Sequence, residues 1–151
     1  TISYEDLRWI RTQWSGNLVV KGIQRVDDAI AAVEAGADAL ILSNHGGRQM
    51  DRSVVPYTLI PDVVAAVGKR AEVHMDTGIM HGGDVIAAIA SGATFTWAGR
   101  AYLYGLMAGG RAGVDRALEI LRTQMLRTMK LLGARDLSEL NPDHVSYLRN
   151  M

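Results

Sequence analysis

Short apolar runs alternate along the chain with longer stretches in which apolar residues recur every three or four positions, and the alternation occurs four times. The runs are Leu18 to Lys21, Ala39 to Leu42, Val73 to Met75 and Phe95 to Trp97. The first two are rich in Val, Ile and Leu without clean alternation, as parallel strands covered on both faces should be. A buried helix segment would look alike at this length, so the surroundings decide. A turn and then helical spacing follows each run: Val26, Ile30 and Val33 after the first, Leu59, Val63 and Val67 after the second, Val85, Ile86 and Ile89 after the third. A longer helix from about Val114 to Leu132 follows the fourth. The pattern predicts repeated βα units.

The predicted ends carry their own signals. Asp27 and Asp28 fall in the first turn of the first crossover helix, and Gly36 closes it; Gly68 and Gly92 close the next two in the same way. Before the first strand, Ser3 to Asp6 forms an S-x-x-[DE] capping box for a helix through Glu5, Leu7, Ile10 and Trp14. After Leu132 come Gly133 and a polar tail with one short helical segment. The repeat is irregular in period, which speaks for successive βα units and against a solenoid. Such units build either a doubly wound sheet or an eightfold barrel, and both place functional residues on the turns that follow the strands. Four units would be half a barrel, with two unpaired edges and half of its interior uncovered, so alone it should be marginal.

Composition narrows the picture. A chain of 151 residues, 48% hydrophobic, can hold one domain with a real core. Sixteen basic and sixteen acidic residues cancel, so there is no general attraction to nucleic acid or to anionic lipid. The absence of Cys removes disulfide and thiolate chemistry. No apolar run approaches the roughly 20 residues of a membrane span, and the N-terminus lacks the order of a signal peptide, so the chain reads as soluble, while the absence of Cys suits a reducing cytoplasm. No His or Asp cluster has ligand spacing, so no metal is expected. Because Thr1 leads directly into a helix, the chain reads as a piece of a longer one.

The candidate chemistry sits at the strand ends. Lys21 closes "LVVKG", where a cation can hold developing negative charge or, more plainly, snorkel to solvent. His45 and Arg48 follow the second strand in "SNHGGRQMD". Its glycines allow φ > 0 and close approach of backbone to a ligand. Arg48 can grip a planar carboxylate and His45 can act as a general base, the alternative being a polar loop that caps the next helix. Ser43 and Asn44 suit either ligand contacts or turn formation. "MDTGIMHGGDV" sets Asp76, Gly78, Gly82 and Gly83 ahead of one helix, and "AGRAYLYG" sets Gly99 and Arg100 ahead of another. Amides at helix starts plus an arginine suit the phosphate of a cofactor. His81 is either a phosphate contact or an exposed loop residue. Met107, Met125 and Met129 read as core filler, and Tyr102 and Tyr104 as one buried and one half exposed.

In this order and spacing, "LVVKGI", "SNHGGRQMD", "DTGIMHGGDV" and "GRAYLYGL" resemble the C-terminal half of the FMN-dependent α-hydroxy-acid oxidoreductases, the family of glycolate oxidase, L-lactate dehydrogenases and oxidases, and mandelate dehydrogenase. The resemblance covers nearly the whole chain. It implies a (β/α)₈ TIM barrel carrying FMN, with residues 1–151 supplying about the last four βα units. It further implies that His45 is the active-site base, that Arg48 binds the substrate carboxylate, and that Lys21 lies near the flavin N1–O2 edge. Ser43 would contact the flavin, Asp76 and Gly78 the ribityl and phosphate groups, and Gly99 and Arg100 the rest of the phosphate.

The implied reaction is oxidation of an L-2-hydroxy acid, with L-lactate favoured, to the 2-oxo acid. It would need the missing N-terminal half of the same barrel, in what is expected to be a homo-oligomer. Membrane association would arise only through that missing half. One departure stands out: most members read D-G-G-[IV]-R, whereas here Asp76-Thr77-Gly78-Ile79-Met80 lacks the arginine. An FMN barrel oxidoreductase on another substrate, such as a modified peptide, and a non-catalytic half-barrel fragment are the competing readings.

Overall fold

The computed structural model describes residues 2–147; Thr1, on which the reading of a truncated start rests, and residues 148–151 of the tail lie outside it. The chain divides into two compact units, Thr1–Thr77 with Ala93–Phe95, and Gly78–Gly92 with Thr96–Met151.

The first unit begins with helix α1 (Tyr4–Gln13), capped as expected by Ser3 and Asp6. Strands β1 (Val19–Ile23), β2 (Ala39–Leu42) and β3 (Glu72–Met75) alternate with helices α2 (Val26–Glu34) and α3 (Pro56–Val67). β1 pairs with β2, and β2 with β3, both in parallel. The short β4 (Phe95–Thr96) completes the order β1-β2-β3-β4. Crossover helices between parallel neighbours are the βα grammar expected of a (β/α)₈ barrel segment.

Why these residues hold together follows from the two faces of the sheet. Side chains alternate along a strand, so Leu40, Leu42 and Val73 share one face, where they are fully buried with Ile60, Val63 and Val67 of α3. Ala29 and Ala32 of α2 are also fully buried, and their small side chains let the helix lie close. Each large side chain buried this way contributes about 1.5–3 kcal/mol. The opposite face carries Val19, Lys21, Ile41, His74 and Phe95. Here the Lys21, Ile41 and His74 backbones lie in register, and the rings of His74 and Phe95 are 5.5 Å apart. Val19 and Phe95 remain about half exposed.

Helix α2 stops at Gly36, whose φ of +103° is the left-handed turn that glycine permits. Gly36 N–H donates to Val33 O and Ala37 N–H to Ala32 O, a Schellman pair. Gly92 (φ +108°) ends the third crossover helix alike, and Gly68 closes α3 as expected, though in right-handed geometry (φ −61°), with its N–H donating to Val64 O. Below the strands, the Arg11 guanidinium donates to Asp38, to Gly36 O and to the carbonyls of Trp14 and Gly16. Asp38 also accepts from Leu18 N–H, and that bond with the Arg11 contact holds its carboxyl below the ordinary range.

The second unit is helical, with α4 (Gly82–Ala90) against α5 (Arg100–Leu132). Helix α5 starts earlier than the expected Val114 because two helical stretches meet at a break, Gly109 (φ −158°) and Gly110 (φ +57°). A Cβ at Gly105 would enter the Gly113 carbonyl, and one at Gly113 would enter that of Gly105. The two stretches therefore touch backbone to backbone. Met129 is buried as expected, but Met107 is 81% exposed, and Tyr102 and Tyr104 are both exposed. All three precede the break, on the short stretch outside the long amphipathic one, so the core assignment of Met107 by spacing and the expected burial of one of the two tyrosines failed there. The tail forms single turns at Leu137–Glu139 and Pro142–His144.

Among the described residues no helix is long and apolar enough to cross a membrane.

Candidate active site

The geometry of the first unit gathers four of the candidate residues. Lys21 does not end its strand. Gly22 (φ +102°) shifts the register of β1 against β2, and pairing resumes at Ile23. This bulge leaves Lys21 on the open face, with its side chain 43% exposed. Lys21 Nζ donates to Ser43 Oγ at 3.0 Å and lies 2.8 Å from Asp76 Oδ2.

Ser43 directly follows β2 and is fully buried. Its oxygen also accepts the His45 N–H at 3.1 Å, and its hydroxyl is hydrogen-bonded to Asp76. Asp76 follows β3, with 17% of its side chain exposed. Burial pushes its carboxyl upward, yet hydrogen bonds from Lys21, Ser43 and Thr77, with the Lys21 charge, outweigh that cost and hold it below the ordinary value. The expected ribityl-loop residue is thus also the counter-ion of the lysine.

The stretch after Ser43 turns through three left-handed residues. His45, Gly46 and Gly47 have φ of +56°, +70° and +73° in succession. Glycine makes the last two conformations inexpensive, but His45 is a non-glycine residue in the left-handed region, a strain that persists only where neighbours enforce it. Three hydrogen bonds do so: His45 N–H to Ser43 Oγ, Gly47 N–H to Asn44 Oδ1 at 3.1 Å, and Gly46 N–H to Thr77 Oγ1 at 3.4 Å. Asn44 is therefore a turn former, which also donates to Val54 O.

The His45 ring lies over Gly22, where an added Cβ would stand 3.4 Å from His45 Cε1. His45 and Arg48 are both exposed, and Arg48 N–H donates to His45 O. Their side chains make no hydrogen bond or ion pair among the described residues. A base and a cation presented on one turn, beside a lysine fixed by an aspartate, can receive an anionic substrate and take a proton from it.

The second unit holds the remaining candidates. Gly78 (φ +81°) and Gly99 are exposed, and an added Cβ at either would meet nothing within 4 Å. Arg100 opens the first turn of α5, with Gly99 at its N-cap position. These positions leave room for a phosphate. The start of α4 does not, against expectation, because its donors are already engaged. Asp84 accepts from Met80 and His81 N–H, Gln124 from Gly82 N–H, and the His81 ring from Gly83 N–H. His81 is thus the exposed N-cap of α4 rather than a free phosphate contact, and Gly82 is a packing glycine pressed on the α5 backbone at Leu121 and Met125.

Sequence reasoning passed over Thr77, Asp84 and Gln124. Asp84, three residues after His81, carried a readable capping signal; Gln124 carried none. Among the described residues no three His, Cys, Asp or Glu gather as metal ligands.

Taken unit by unit, the residues have the chemistry that FMN would need: in the first, Lys21 is a cation fixed by Asp76 and Ser43 beside the open face, and in the second, Gly78 and Gly99 leave backbone unobstructed.

The family described as FMN-dependent dehydrogenase matches residues 1–147. A putative L-lactate dehydrogenase of Mycobacterium tuberculosis (strain ATCC 25618 / H37Rv) is 58% identical over the full chain, which spans 36% of that relative. A pre-mycofactocin synthase of the same strain is 44% identical over 93% of the chain and 35% of its own length. The solved structure of the monotopic membrane protein (S)-mandelate dehydrogenase superposes with a TM-score of 0.92 at 41% identity, over 96% of this chain and 38% of that one. The chain thus spans a little over a third of the relatives it matches. On the match across residues 1–147, the chain belongs to the FMN-dependent dehydrogenase family.

Proposed function

We propose that this chain is the C-terminal part of an FMN-dependent L-2-hydroxy-acid oxidoreductase, with L-lactate as the favoured substrate. The convergence of Lys21, Ser43, His45 and Asp76 on one corner of the sheet carries the reading. The 58% identity to the putative L-lactate dehydrogenase supports the choice of substrate. Arg48 fixes the substrate carboxylate through paired N–H donors, and His45 takes the proton that the hydroxy acid releases. Lys21, held by Asp76 and Ser43, stabilises negative charge as it develops on the acceptor side. Bound FMN supplies the two-electron acceptor. Gly78, Gly99 and Arg100 hold its phosphate, and Ser43 and Asp76 its flavin and ribityl parts.

On this reading a complementary N-terminal half completes the barrel, the assembly is a homo-oligomer, and it is cytoplasmic or peripheral to a membrane through the other half. A second reading, an FMN oxidoreductase acting on a modified peptide, draws on the 44% identity to pre-mycofactocin synthase.

An anaerobic visible spectrum of the purified native protein separates them. A flavin spectrum that L-lactate bleaches supports the first reading. A flavin spectrum unmoved by L-lactate and by other small L-2-hydroxy acids favours the second.

A further inference from the structure

Thr77 is a threonine held at φ +79° between Asp76 and Gly78, at a position where the family pattern quoted above carries glycine. A β-branched residue in the left-handed region is strained, and such strain persists where the surroundings over-determine it. Both of its hydroxyl's hydrogen bonds are visible. It donates to Asp76 Oδ1 at 2.8 Å and accepts from Gly46 N–H at 3.4 Å.

Gly46 is the middle of the three left-handed residues of the turn that presents His45. The chain of contacts therefore runs from Lys21 through the Asp76 carboxylate and the Thr77 hydroxyl to the backbone beside His45. The parallel link through Ser43 ends on the His45 amide itself. Glycine at 77 would adopt the same φ without strain but would leave Gly46 without this acceptor.

We infer that Thr77 is a positioning residue: its hydroxyl ties the His45 turn to the Lys21–Asp76 pair and so sets where the imidazole stands over Gly22. The inference rests on the proposed role of His45 as base only for its effect on rate; the effect on the ring's position stands apart from that role.

The test compares Thr77→Val, which removes the hydroxyl and keeps the shape, with Thr77→Ser, which keeps the hydroxyl, in the native flavin-loaded protein. Two readouts are taken. The His45 ring resonance is followed in protein carrying labelled histidine, with the His45 and His144 signals among the four histidines assigned through His45→Gln and His144→Gln, and the rate of flavin bleaching is measured by rapid mixing with L-lactate.

Thr77→Val is expected to move the His45 resonance while that of His144 stays in place. It should also slow bleaching about tenfold, the weight of one hydrogen bond, with KM within about twofold. Thr77→Ser should restore both. Should Thr77→Val fail to fold, Thr77→Gly, which relieves the strain and lacks the hydroxyl, is expected to move the same resonance. An unmoved His45 resonance in the hydroxyl-free variant overturns the inference, as does an equal shift in Thr77→Ser or a selective loss of bound FMN. If L-lactate bleaches not even the unaltered protein, the proposed substrate fails while the resonance still decides the role of Thr77.

Discussion

Lys21 and Asp76 meet across an intervening strand. The lysine projects from β1 and the aspartate follows β3, yet Nζ and Oδ2 are 2.8 Å apart, with Ser43 at the end of β2 bonded to both. The pair therefore locks three neighbouring strands together and aims a cation at the face where a ligand would lie.

This lock should make stability depend on acidity. The Asp76 carboxyl is held below its ordinary value: burial raises it, but the bonds from Lys21, Ser43 and Thr77 and the Lys21 charge lower it further. Folding then gains stability from this group above its unfolded value of about 4, and loses it as the pH falls through the lower folded value. Urea unfolding between about pH 5 and pH 2 is expected to show the native protein losing stability more steeply than Asp76→Asn. Equal slopes would show that the pair does not couple to folding.

Gly82 should prove a packing residue. A Cβ there would enter the α5 backbone at Leu121 and Met125 and come within 2.6 Å of Gln124 Cβ. Gly82→Ala is expected to destabilise by about 1–3 kcal/mol, the usual cost of overpacking. Gly83→Ala, whose Cβ would meet only the movable His81 ring, should cost less. Thermal unfolding of the two variants checks the order.

Arg48 should act on binding rather than on the chemical step. Arg48→Lys keeps the charge but loses the paired donors that match a carboxylate. Steady-state kinetics are expected to show KM for L-lactate raised about tenfold with kcat little changed. A fall in kcat with KM unchanged would move Arg48 into the reacting set.

The strands, the crossover helices and the His45 turn were legible because each rests on local grammar: an apolar run, helical spacing, and glycines where the backbone must turn left-handed. The position of Lys21 was misread because the bulge at Gly22 depends on pairing with β2, which no local signal marks. The Lys21–Asp76 pair joins positions far apart in sequence, and Thr77 acquires its role only from the fold around Gly46. The α4 start looked like an anion site because its glycines were read as a cradle. The glycine amides in fact serve Gln124 and His81, the Met80 and His81 amides serve Asp84, and Gln124 comes from another helix. Met107 was assigned to the core by spacing, and one of Tyr102 and Tyr104 was expected buried, on a stretch that the Gly109–Gly110 break separates from the long helix.

The central claim is that His45 takes the substrate's proton, and rapid-mixing measurement of anaerobic flavin bleaching by L-lactate, in the native protein and in His45→Gln, tests it most directly. The account predicts that the variant keeps its flavin spectrum and bleaches about 10²–10⁴-fold more slowly, the usual contribution of a general base. Bleaching at the native rate in His45→Gln would contradict it.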